Sequence, residues 1–319
     1  MICSLQDLNK RVESRSEIVV SSLSDIGTIK DIMQRHGFSF SKGLGQNFLI
    51  NPSVCPRMAE MGGANETAGI LEIGPGIGVL TAELAKRAKR VVAVELDDRL
   101  LPVLDETLAE FDNISIVHGD VMKLNLAELV AKRFGDCEEV SVCANLPYYI
   151  TSPVIMNLLE NRLPVKSVTV MVQKEAADRI CASVGSRESG ALTVAVNFYA
   201  VPEILFKVNR GSFMPPPNVD SAVIRMNVRE NPPFEVGDEK IFFGMVKAGF
   251  SQRRKTLSNS LTSGGFLSRA EAAEALVNAG IPANTRVEAL DMEKLAQLSK
   301  SITEIKIQKN SVQNPNYHV

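Results

Sequence analysis

No stretch of this 319-residue chain approaches the roughly 20 consecutive apolar residues that a helix needs to cross a bilayer. No helical membrane span is therefore expected. Residues 1–23 are interrupted by Asp7, Lys10, Arg11, Glu13, Arg15 and Glu17, so they lack the unbroken apolar centre of a secretory signal. A cytoplasmic protein is expected. Cys3 would suit a lipid anchor only behind an apolar segment, and none precedes it. Cysteine is sparse: Cys3, Cys55, Cys137, Cys143 and Cys181 form no C-x-x-C pair, which argues against a disulfide framework or a zinc site. The histidines His36, His118 and His318 stand far apart, with no cysteine or histidine at ligand spacing. No metal is expected. An excess of either charge is also missing, since the net charge is −2. Nucleic-acid-binding domains are often basic overall, so this balance speaks mildly against such a partner. Local patches decide contacts, however, and two basic clusters stand out: Lys86–Arg90 and Arg253-Arg254-Lys255.

What remains is ordinary for a soluble globular chain, with 45 % apolar and 23 % charged residues. The length suits one large domain, or a large and a small one. Residues 1–28 read as a polar leader. A short helical pattern around Ile29, Ile32 and Met33 ends at Gly37. From residue 69 strand and helix patterns alternate, with strands expected at Ile70–Ile73, Val91–Val94, Ile114–Val117, Val140–Ala144 and Val168–Val172. Helical patterns fall between them, which predicts an α/β fold with a mostly parallel sheet covered on both faces. Residues 191–199 fit helix or strand equally. Ile204–Val208 and Ala222–Val228 suggest a hairpin-like end to the sheet. Beyond the boundary at 232–233 the pattern is helical up to about residue 305, and 306–319 read as a loose polar tail. The expected organisation is a leader (1–28), a main domain (29–231), a small helical domain (232–305) and a tail (306–319).

The chemistry-bearing residues sit where strands end, which is where open α/β sheets bind ligands. Leu71-Glu72-Ile73-Gly74-Pro75-Gly76-Ile77-Gly78 is a strand running into a Gly-rich turn. Val79 occupies the place of the last glycine of G-x-G-x-x-G, so the dinucleotide fingerprint is not met. A merely structural turn fits these residues as well. The next strand ends at Glu95, whose carboxylate can accept hydrogen bonds from both ribose hydroxyls. The one after it leads to Asp120, which can accept from an adenine amine. Alternatively, Glu95, Asp97 and Asp98 are an acidic helix start. The Val140–Ala144 strand runs into Asn145-Leu146-Pro147-Tyr148. An amide that holds an exocyclic amine, a stiff turn and a stacking ring are what an amine-methylating enzyme needs.

These two motifs, together with Phe213-Met214-Pro215-Pro216-Pro217-Asn218-Val219-Asp220-Ser221 and Phe250–Leu257, resemble the bacterial small-subunit ribosomal RNA adenine N6,N6-dimethyltransferases. Relatives of that family are the erythromycin-resistance methylases and the mitochondrial transcription factor B proteins. The likeness runs from about Lys42 to residues 286–290. It implies a class I methyltransferase fold, Rossmann-like, with a small C-terminal helical domain. It also implies S-adenosylmethionine as cofactor and a pre-30S particle or its RNA as partner, with the chain acting as a monomer. The resemblance places cofactor contacts on Asn47, Leu49, Gly74, Glu95, Asp120 and Asn145. The methyl-accepting site falls on Asn145, Leu146, Pro147 and Tyr148, with Phe213 opposite. Arg253, Arg254 and Lys255 are expected to contact RNA phosphates, although a basic run is usually a solvated helix face. No chemical step is assigned to the Tyr148 hydroxyl, so Tyr148→Phe is expected to be mild. The alternatives are a large-subunit resistance methylase and a non-catalytic nucleic-acid-binding factor on the same fold.

Overall fold

The computed structural model describes residues 23–37 and 47–313, with side chains as far as Lys309. Its centre is a sheet of seven strands in the order β4-β3-β2-β5-β6-β9-β7. These are β2 (Ala68–Ile73), β3 (Arg90–Glu95), β4 (Ile114–His118), β5 (Glu139–Asn145), β6 (Ser167–Gln173), β7 (Ala200–Val208) and β9 (Ser221–Val228). The pairs β2–β3, β3–β4, β2–β5 and β5–β6 are parallel, and β9 runs antiparallel to β6. Central strands covered on both faces need apolar side chains on both, and all six residues of β2 are buried. A separate two-residue pair joins β1 (Phe48–Leu49) to β8 (Phe213–Met214).

The chain enters β2 first, then moves to β3 on one side and later to β5 on the other. This reversal opens a crevice at the carboxyl ends of the strands. Register sets those ends side by side: Ile73 pairs with Val94 and with Ala144, and Glu95 pairs with His118. One core cluster includes Met58, Ile70, Leu84, Val91, Cys143, Met171 and Phe213. Another joins Leu23, Ile29 and Ile32 to Ile77, Val103 and Leu104. Helix α1 (Ile26–Arg35) supplies Ile29 and Ile32, and the Asp25 side chain caps it by accepting from Thr28 N. Leu23 and this cap lie inside the 1–28 range expected as leader. Their contribution is one buried apolar residue and one cap, too little to register as periodicity. Residues 1–22 lie outside the described part.

The chain divides into two compact units. The first holds the described residues up to Ala177 together with Pro202–Val228. The second holds Asp178–Val201 and everything from Arg229 onward. It therefore draws in residues from the middle of the expected main domain. Residues 191–199 form a helix, Ala191–Tyr199. It inserts Phe198 against Phe242 and Phe243, at ring-centroid distances of 5.2 and 5.4 Å. Burial of this apolar helix against the helix Glu239–Ser251 explains why the segment groups with the C-terminal helices. The last helix, Met292–Gln313, runs well into the range expected as a loose tail. Lys306 lies over the Phe266 ring and Lys309 pairs with Glu271 at 2.9 Å, which anchors the added turns. Among the described residues no helix is long and apolar enough to cross a membrane, and no cluster of His, Cys, Asp or Glu could hold a metal ion.

Candidate active site

A cavity of about 650 Å³ opens at the carboxyl ends of β2, β3, β4 and β5, within the first unit. This is a usual size for a small-molecule site. Asn47, Leu49, Gly74, Glu95, Asp120, Asn145, Leu146, Pro147, Tyr148 and Phe213 all line it. Every residue expected to touch cofactor or target base therefore meets in one place. The basic triplet does not share that role. It belongs to the second unit, in the turn between the helices Glu239–Ser251 and Leu257–Ser263 and not on a helix face.

The floor is the turn after β2. Gly74 and Gly76 have φ of 70° and 61°, and nothing lies within 4 Å of where a Cβ would stand. The left-handed backbone calls for glycine, and the space above the turn is open to a ligand. Glu95 is 6 % exposed; its Oε1 accepts from Asp97 N at 2.8 Å and its Oε2 from Gly76 N at 3.3 Å. The carboxylate thus ties β3 to the Gly-rich turn. Burial raises its pKa, and backbone hydrogen bonds from Asp97, Gly76 and Leu96 offset part of the rise. Asp120 accepts from Met122 N at 3.0 Å, which fixes its orientation after β4.

Glu72 carries a charge-bearing group into the middle of a buried strand. It is 1 % exposed and lines the cavity, and its Oε2 has no hydrogen-bond partner. Burial pushes its carboxyl up to about 8. The motif reading gives Glu72 no role. The available signal was a lone acid inside an apolar strand. Asp97 and Asp98 line the cavity as well, and the basic Arg99 beside them is held by Asp97, Nε to Oδ1 at 2.8 Å. The carboxylates of Glu95, Asp97, Asp98 and Asp120 in the lining suit a positively charged ligand and repel a pyrophosphate, while the protonated Glu72 adds no charge.

At the other end Asn145 closes β5 beside Met171 of β6. The Pro147 carbonyl already accepts from Ile150 N at 3.1 Å and from Thr151 Oγ1 at 3.3 Å. The hydroxyl of Tyr148 lies 2.7 Å from Ser221 Oγ. Phe213 is only 3 % exposed and packs in the core cluster with Leu49 and Val223, so it reaches the cavity from within the wall. Tyr149, also at the cavity, is 63 % exposed. In the basic triplet, Arg253 is committed to its own unit, donating to the Arg187 carbonyl at 2.7 Å and to Glu288 at 3.3 Å. Arg254 and Lys255 are exposed.

A mostly parallel sheet with one antiparallel strand, a Gly-rich turn after its first strand and an acid-lined cavity define a class I methyltransferase that uses S-adenosylmethionine. The family model described as ribosomal RNA adenine dimethylase matches residues 37–304. A protein of Bacillus licheniformis named ribosomal RNA small subunit methyltransferase A is 47 % identical over 279 residues, covering 86 % of this chain and 96 % of that protein. A Geobacillus thermodenitrificans protein of the same name is 48 % identical, over 86 % of this chain and 95 % of its own length. Among solved structures, a dimethyladenosine transferase from Plasmodium falciparum superposes with a TM-score of 0.64 at 25 % identity, covering 83 % of this chain and 98 % of that one. The 23S rRNA methyltransferase ErmE superposes with a TM-score of 0.60 at 29 % identity, covering 80 % and 99 %. The chain belongs to the ribosomal RNA adenine dimethylase family.

Proposed function

We propose that this protein dimethylates the N6 amines of two adjacent adenosines near the 3′ end of small-subunit ribosomal RNA, acting on the pre-30S particle. The observation that carries the reading is a single cavity with an acid-lined cofactor end and, at its other end, Asn145 followed by a fixed turn and an aromatic ring. The choice of small over large subunit is supported by the relatives at 47 % and 48 % identity, against 29 % for the large-subunit enzyme.

S-adenosylmethionine supplies an electrophilic methyl group when bound. Glu95 would accept from the ribose hydroxyls and Asp120 from the cofactor's adenine amine, and the open space over Gly74 would allow close approach. The target amine is a weak nucleophile because its lone pair is shared with the ring. It needs positioning more than a base. Asn145 Oδ1 accepts one amine hydrogen. The second goes to the Leu146 carbonyl, because the Pro147 carbonyl is already taken by Ile150 and Thr151. Two acceptors at the amine hold the nitrogen and favour its pyramidal form. As the base gains positive charge, the ring faces of Tyr148 and Phe213 stabilise it. The target nucleotide must be unpaired or flipped to enter.

The test is single-turnover methyl transfer to precursor small subunits with saturating cofactor. Asn145→Ala is expected to slow transfer by on the order of a hundredfold while RNA affinity stays near that of the parent, because remote contacts hold the RNA. A near-parental rate would overturn the mechanism. Mass spectrometry of small-subunit RNA from cells lacking the protein checks the substrate, since both dimethyl marks should be absent.

A further inference from the structure

The two adjacent tyrosines at the cavity are held differently. Tyr149 is largely exposed, whereas the Tyr148 ring is fixed at both ends. Its backbone follows the Pro147 turn, and its hydroxyl meets Ser221 Oγ at 2.7 Å. Ser221 is fully buried, and a buried hydroxyl is costly unless it is partnered. It opens β9 opposite Gln173 of β6. The residue before it is pinned twice: Asp220 Oδ1 accepts from Arg210 N at 2.9 Å, and the Asp220 carbonyl accepts from Lys174 N at 2.9 Å. Ser221 is thus a rigid anchor, set 73 residues away from the ring it holds. A tyrosine tethered only at its backbone can still rotate about its side-chain torsions, whose outer one is broad. A tether at the hydroxyl removes most of that freedom.

We propose that Ser221 is a positioning residue for methyl transfer, its hydroxyl locking the Tyr148 ring in the orientation that receives the target adenine. This rests on the reading that Tyr148 stacks on that base. The Tyr148 hydroxyl takes no part in moving the methyl or a proton; it makes the stacking face pre-organised. Pre-organisation of this kind acts on turnover and leaves ground-state affinity nearly unchanged.

The experiment is a mutant cycle of Ser221→Ala, Tyr148→Phe and their combination, with Tyr148→Ala as reference. Single-turnover transfer to precursor small subunits is measured, along with affinities for S-adenosylmethionine and RNA. Each single change is expected to lower the rate roughly three- to tenfold, as for loss of one hydrogen bond. Affinities should be unchanged, and the double variant should be no slower than either single one. Tyr148→Ala should be slower still. Parental rates for both singles beside an impaired Tyr148→Ala would overturn the role of Ser221 and leave the stacking reading standing. So would losses that multiply in the double variant, because independent structural damage behaves that way. A parental rate for Tyr148→Ala would overturn the stacking reading itself. If Ser221→Ala does not fold, Ser221→Cys, a weaker hydrogen-bonding group of similar shape, enters the same cycle.

Discussion

Removal of the Glu95 carboxylate is the perturbation whose size follows most directly from the geometry. Each oxygen already accepts one backbone donor, Asp97 N at 2.8 Å and Gly76 N at 3.3 Å. The two ribose hydroxyls of the cofactor would add two charge-assisted hydrogen bonds to this carboxylate. A hydrogen bond to a charged group is worth about 1.5–3 kcal/mol net. Loss of both places Glu95→Ala about 3–6 kcal/mol down in cofactor binding, roughly a hundredfold or more in Kd. Glu95→Gln keeps the shape but only one acceptor oxygen. Its amide nitrogen must face one of the two backbone donors, so it should lose roughly one bond's worth, on the order of tenfold or more. Burial raises the Glu95 pKa, and only the ionised form offers charge-assisted acceptance. Cofactor affinity of the parent protein should therefore fall as pH drops through that raised pKa, and Glu95→Gln should lack this fall. Isothermal titration calorimetry with S-adenosylmethionine, run across pH on variants with unchanged melting curves, measures all of this. An unchanged Kd in Glu95→Ala would refute the assignment of this strand end to the ribose.

Three further outcomes are expected. Glu72 is protonated in the fold up to about pH 8, well above an unfolded glutamate, so the native state binds the extra proton. Its contribution to stability is present in full below pH 4 and is lost as pH rises to about 8. Chemical denaturation across pH 5–9 should show Glu72→Gln losing this part of the slope; a slope identical to the parent's would refute the buried-acid reading. Arg254→Ala with Lys255→Ala should weaken RNA binding and reduce its salt slope by about one to two units, measured by filter binding at several salt concentrations. An unaltered slope would make them a solvated turn. Arg253→Ala should instead lower the stability of the second unit by roughly 1 kcal/mol through its lost bonds to Arg187 and Glu288, and a denaturant midpoint equal to the parent's would contradict that.

The parts of this protein that could be read from its sequence are those encoded by neighbours in the chain. The central strands are near-continuous apolar runs because both faces are covered, and their polar ends mark the crevice: Glu95 after Val94, Asn145 after Ala144. Features that depend on a distant partner could not be read. Residues 191–199 are mostly apolar and mostly buried, with only Thr193 and Asn197 polar, which blurs the difference between the two periodicities. The basic triplet is uniform in sequence, yet Arg253 is withdrawn by a carbonyl 66 residues away while its neighbours stay exposed. The last helix passes Ile305 with a polar sequence, and its added turns rest on the Lys309–Glu271 pair, which no local pattern announces. Local sequence gives the Tyr148 hydroxyl no task, because Ser221 lies in a different motif. With that partner in view, Tyr148→Phe is expected to slow transfer roughly three- to tenfold rather than mildly.

The same distant motif also explains how the two ends of the cavity are joined. Asn47 and Leu49 line the cavity, and the strand that carries Leu49 is only two residues long. Such a short strand has little stability of its own. Its register partner is β8: Leu49 faces Phe213 and Phe48 faces Met214. Beside the pair, Ile50 N donates to the Ser212 carbonyl at 2.8 Å and Asn51 Nδ2 to Ser212 Oγ at 3.1 Å. The segment that carries Asn47 and Leu49 is therefore clipped to the segment that carries Phe213. The segment then continues to Ser221, which holds the other ring. One stretch, residues 212–221, thus sets Leu49, Phe213 and Tyr148 relative to one another. A substitution that loosens this stretch disturbs Leu49, Phe213 and Tyr148 together, because all three rest on it.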